Sequence, residues 1–296
     1  MARIHKPYPN RPLGDIAEGP LGRAVLARLM GVDIAGVPGP LWDAPSLATY
    51  AAEQSVTGNQ FLAVFREIVD GYPMGTKKDW DAVDVWLIEH KRGLADWANE
   101  VLIQSSISWI SDPFQRETQI GFSSQWAYVT GPHCQDNVTP GKGDFSRWWV
   151  APDCRMFTFA ELPATFSERS PILDDYWVAV PNEHLSPYEI SSELKVREVL
   201  DRNDWVTLVE QFPEPTPKFL TYKGASGDRV LVWPDWKRLR EHYDGVYLSP
   251  LAYLQLAYAR IDLGPKSFTT LAGWHPGATI WLNEVVLKLS ESPQGS

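Results

Sequence analysis

The sequence predicts an α+β protein: a mostly helical N-terminal part, an aromatic-rich β middle, and an α+β C-terminal half with a mixed or antiparallel sheet. Three observations carry this. Apolar residues in the first hundred positions fall on one helical face, as Phe61, Leu62, Phe65 and Ile68 do. Between about residues 105 and 180 the pattern changes to short aromatic or β-branched runs parted by turn residues. From about Ser186 strand-like and helix-like units alternate. The divisions expected are 1–20 as an N-terminal arm, 21–180 as a helical then β region, and 181–296 as an α+β C-terminal domain.

Taken in order, residues 1–20 are rich in Pro, Gly and charge, and the pattern turns helical at "PLGRAVLARLMG". "PSLATYAAEQSVTGNQFLAVFREIVDGYPMG" reads as a helix, a turn, and a second helix from about Asn59. "DWDAVDVWLIEHKRGLADWANEVLIQS" is the longest helical pattern. Asp79 can cap it, and Val83, Trp86, Leu87, Leu94, Trp97 and Val101 line one side. Gly93 weakens the case for one unbroken helix.

"SSISWISD", "TQIGFSSQWAYVTG" and "SRWWVA" read as strands, and "GPHCQDNVTPGKGDFS" as a long polar loop. "ELKVREVL" is a strand and "DRNDWVTLVEQF" a helix capped by Asn203 or Asp204. "PEPTP" is a stiff break, and "FLTYKG", "ASGD" and "DRVLVW" give strand, turn, strand. Pro234 and Asp235 open a helix, "DGVYLS" is a strand, and Ser249-Pro250 open a helix running through Arg260. "ATIWLNEVVLKL" closes as a strand.

With 296 residues the chain can bury a substantial core without staples. Its 14 Trp imply an aromatic core, or a groove that stacks a planar ligand. The net charge of −10 argues against nucleic acid and against an anionic membrane surface. Cys134 and Cys154 do not make a disulfide scaffold. With no apolar leader and no membrane-length apolar run, a cytoplasmic protein is expected.

No Gly-rich dinucleotide loop, P-loop, zinc-protease or nucleophile-elbow motif occurs. His133, Cys134 and Cys154 lack the arrangement of a zinc site, so no metal is expected. Asp174 and Asp175 are adjacent and, on a strand, would point to opposite faces. Two charged positions stand out. Arg197 lies mid-strand, with Lys195 and Val199 on its face and Leu194, Val196 and Glu198 on the other; its fork of donors could clamp a phosphate. Glu284, at the end of "ATIWLNE", could be desolvated, which suits acid/base or hydrogen-bonding work.

The order "VREVLDRNDWVTLVEQFP", "VLVWPDWKRLREHYDGVYLS", "LAGWHPGATIWLNE" resembles a family of uncharacterised actinobacterial proteins over roughly the last 110 residues. The phrase "LREHYDGVYLS" is also similar to one near the end of some ADP-ribosyltransferase-like domains. That resemblance implies NAD as cofactor, Arg197 on an early strand, Tyr222 or Ser249 in the middle and Glu284 late. Arg197 and Glu284 would be catalytic, with Arg197 holding the pyrophosphate and an aromatic stacking on nicotinamide. Tyr243, Tyr247 and Ser249 have chemistry beyond what folding needs and complete the candidate ligand-binding set. The S-T-S triplet and the E-x-E or Q-x-E pair of those domains are missing.

Three functions are therefore open. The first is an enzyme binding a nucleotide-like or aromatic small molecule, such as an ADP-ribosyl transferase using NAD. The second is a non-enzymatic interaction protein, a phage, toxin–antitoxin or regulatory component, which should show a flat aromatic patch. The third is a secondary-metabolism enzyme with a Trp-lined pocket. The expected partner is a small molecule or a protein, and the cofactor is unknown from the residues alone.

Overall fold

A computed structural model describes residues 13–31, 56–71, 88, 90–102, 107–117, 119–122, 156–160, 185–215, 222–224, 227–271, 274–283 and 288–289. The fold is α+β, with helices before the first described strand, further helices among the C-terminal strands, and two mixed sheets. No described helix is long and apolar enough to cross a membrane.

The chain is drawn into the core earlier than an arm would be. A 3-10 turn spans Leu13–Glu18, with Ile16 and Ala17 buried. Helix α1 (Pro20–Leu29) follows, with Pro at its first position, where a missing N–H is harmless. Arg23 is buried, and its Nη1 donates to the carbonyls of Ala17 and Glu18. Backbones approach closely here: a Cβ on Gly22 would stand 1.7 Å from the Ile16 carbonyl oxygen.

Helix α2 (Gly58–Gly71) begins with a capping box. The Thr57 N–H donates to Gln60 Oε1 at 2.8 Å, and the Gln60 N–H donates to Thr57 Oγ1 at 3.2 Å. Its face of Phe61, Leu62, Phe65 and Ile68 is buried as the spacing predicts. Helix α3 (Lys91–Val101) buries Leu94 and Trp97, and its Asn99 Oδ1 accepts from the Gly14 N–H at 2.7 Å. The earlier half of that helical pattern, including Asp79, Val83, Trp86 and Leu87, lies outside the described residues.

"SSISWISD" is not a strand: Ser108–Ser111 form a 3-10 turn closed by the Asp112 N–H on the Trp109 carbonyl. Consecutive Trp109 and Ile110 are both buried, which strand alternation does not permit on a one-sided core. The larger sheet uses β1 (Gln119–Phe122), β2 (Met156–Ala160), β3 (Leu185–Glu189), β4 (Val196–Val199), β8 (Gly245–Leu248), β11 (Ala278–Trp281) and β12 (Lys288–Leu289). Their order is β12-β3-β1-β2-β11-β8-β4. All pairs are antiparallel except β4 with β8. The stretches "SRWWVA" and Asp174-Asp175 lie outside the described residues, as does the expected boundary near 180; strands from either side of that boundary share this sheet.

The smaller sheet runs β5 (Pro213–Pro215), β7 (Gly227–Pro234), β10 (Ser267–Thr269), β9 (Ile261–Gly264), with β6 (Tyr222–Gly224) also on β7. "PEP" is thus an exposed edge strand rather than a break, a position where proline is tolerated. Helix α4 (Arg202–Gln211) is capped by Asp201 rather than Asn203 or Asp204. Asp201 accepts from the Asp204 N–H, and Asp204 in turn accepts from the Leu200 N–H. Asp235 caps α5 (Trp236–Leu239) and Ser249 caps α6 (Pro250–Leu256). Helix α6 stops short of Arg260: Tyr258 takes φ of 60°, a left-handed break, and Ile261 already pairs with β10.

One buried cluster runs from Ile16 to Leu282. Trp205, Trp236 and Trp274 pack together in it, at ring separations of 6.2 Å and 5.8 Å from Trp274. Every described Trp is buried, so these aromatics build core rather than a stacking groove.

Candidate functional site

The parallel pair β4 and β8 organises the chemistry. Their first residues are locked together by Asp244. Its Oδ2 accepts from the Lys195 N–H at 2.7 Å, and its own N–H donates to the Lys195 carbonyl at 2.7 Å. Its Oδ1 accepts from Asn283 Nδ2 at 3.3 Å, and its carbonyl accepts from the Leu282 N–H at 2.8 Å. Gly245 follows because a Cβ there would press on the Trp281 ring at 2.9 Å. The Asp and Gly of "YDGV" are therefore consumed in joining β4, β8 and β11.

Pairing sets which side chains share a face. Arg197 stands opposite Val246, and Glu198 opposite Tyr247, so Arg197 and Tyr247 lie on opposite faces of the sheet. Val199, Val246 and Leu248 belong to the main core with Trp205, Leu208 and Val209 of α4. Arg197 is thus on the α4 side, at the sheet edge. It is partly buried, and its Nε is enclosed without a hydrogen-bond partner.

Helix α4 runs back over β4, which brings its C-terminal neighbour Phe212 to the end where β4 starts. The Phe212 ring meets His242 at 5.4 Å and Tyr243 at 6.5 Å, and the Arg238 guanidinium lies 5.6 Å above it. Tyr243, partly buried against the core, and the unpaired Arg197 therefore flank the same end of the β4–β8 pair. The end combines cations with aromatic rings.

The opposite face is polar in its middle. One register row reads Glu198, Tyr247, Thr279, Thr158, Gly121 and Ser186 across six strands. Trp281 Nε1 donates to Thr158 Oγ1 at 3.2 Å, and Thr158 Oγ1 donates to Gln119 Oε1 at 3.0 Å. The Thr279 hydroxyl is buried with no hydrogen-bond partner. Residues 112–117 cover one end of the row. Phe114 packs on Tyr247 at 5.5 Å and on Trp281 at 6.4 Å, and its N–H donates to Glu198 Oε2 at 3.2 Å. The Tyr247 hydroxyl donates to the Asp112 carbonyl at 3.4 Å, a long bond. Burial first, then the charges of Asp112 and Glu198, push the Tyr247 pKa far up, so the phenol stays protonated. Asp112 is exposed at its edge, yet enough protein crowds its carboxyl for desolvation to push its pKa above the usual range.

The candidates thus separate. Arg197 and Tyr243 share one end of the β4–β8 pair. Tyr247 lies on the other face. Tyr222 opens β6 in the smaller sheet, opposite Arg229. Ser249 is spent on structure: its Oγ donates to the Leu200 carbonyl and accepts from the Ala252 N–H, both at 3.0 Å. Glu284 lies outside the described residues. Asp112, Phe114, Glu198 and Thr279 were not singled out from sequence. The one available signal was the alternation that set Glu198 opposite Arg197. Comparison with protein-family models, curated proteins and solved structures finds no match, so function has to be argued from these side chains.

Proposed function

We propose that this chain binds a nucleotide-like or other aromatic anion where β4 and β8 begin, with Arg197 clamping the anionic group. The supporting observation is Arg197 itself: partly buried, with Nε enclosed, and with no carboxylate partner among the described residues of a chain carrying 37 acidic side chains. A half-dry guanidinium in an acidic protein draws an anion from elsewhere when its own chain supplies none. Tyr243 and Phe212 offer aromatic surface at the same end of the β4–β8 pair. A group-transfer step, such as ADP-ribosyl transfer from NAD, is the enzymatic form of this reading; it would need a carboxylate, for which Glu284 is the candidate.

The interaction-protein reading draws less support. It calls for an exposed aromatic patch, whereas the only exposed large hydrophobics among the described residues are Ile88 and Tyr258.

Calorimetric titration with adenosine, AMP, ADP-ribose and NAD tests the proposal. Arg197→Gln should weaken the phosphate-bearing ligands by about tenfold or more while leaving adenosine alone. Equal binding of AMP by wild type and Arg197→Gln, or no binding of any of the four, sinks the idea.

A further inference from the structure

We draw no further inference here: the strongest candidate, the half-exposed side-chain cluster where α5 leads into β8, with Arg238 and His242 against the Phe212 ring, carries none, because the exposed Glu241 stands between its two basic residues in sequence and nothing in the structure shows what covers it.

Discussion

The Asp244 carboxylate and the Lys195 backbone hold each other twice, through Oδ2 to N–H and through N–H to carbonyl, both at 2.7 Å. This reciprocal pair does for two parallel strands what a hairpin turn does for antiparallel ones, because no short connection can join β4 to β8.

Asp244→Ala should therefore destabilise the fold by about 1–3 kcal/mol, since it leaves the Lys195 N–H without its acceptor, whereas the Asn283 amide keeps the Arg240 and Tyr243 carbonyls. The urea midpoint should fall with the slope unchanged. An unchanged midpoint would mean that the lock contributes nothing.

Ser249→Ala separates a cap from a ligand contact. Loss of the cap and of the bond to the Leu200 carbonyl should cost about 1–2 kcal/mol in urea unfolding. Nucleotide affinity should stay as in wild type. A selective loss of affinity at normal stability would return Ser249 to the site.

His275 gives a pH signature. Burial lowers its pKa from 6.5 to about 4, so the folded protein refuses a proton that the unfolded chain accepts. The His275 contribution is complete above about pH 6.5, shrinks as pH falls towards about 4, and changes no further below that. The difference can reach about 3 kcal/mol. Carboxylates titrate in the same window, so the measurement is the difference between wild type and His275→Gln. Parallel pH–stability curves would refute the effect.

Trp274 touches both Trp205 and Trp236, and its Nε1 donates to the Ala278 carbonyl at 3.3 Å. Trp274→Ala should cost about 3–5 kcal/mol through the cavity it leaves. Trp274→Phe should cost clearly less. Thermal unfolding of the two variants checks the ranking.

What could be read from sequence was local. Asp235 and Ser249 announced α5 and α6 because a cap sits beside its own helix. The Phe61 to Ile68 face announced α2 for the same reason. The cap of α4 is not legible in "DRND", because Asp201 and Asp204 both accept from backbone N–H groups at this helix start, Asp201 from Asp204 and Asp204 from Leu200. "MFTFA" and "LSPYE" carry no strand signal of their own beyond a few residues, yet both lie inside the larger sheet. The candidate sites were less legible still. Phe114 reaches Glu198 across 84 positions, and only the register of β4 on β8 shows that Arg197 and Tyr247 part company.

Gln255 Nε2 donates to the Asp15 carbonyl at 3.0 Å, across 240 positions of sequence, and its Oε1 accepts from the Arg202 N–H at 2.9 Å. During synthesis the Leu13–Glu18 turn waits for α6 before its Asp15 carbonyl gains this donor. The N-terminal helices pack on one another as they emerge, but the part of their apolar surface that meets α6 stays open until α6 is made. Long-range closure of this kind slows folding and lengthens exposure to aggregation. Expression at lower temperature or with added chaperone should therefore raise the soluble yield of this chain.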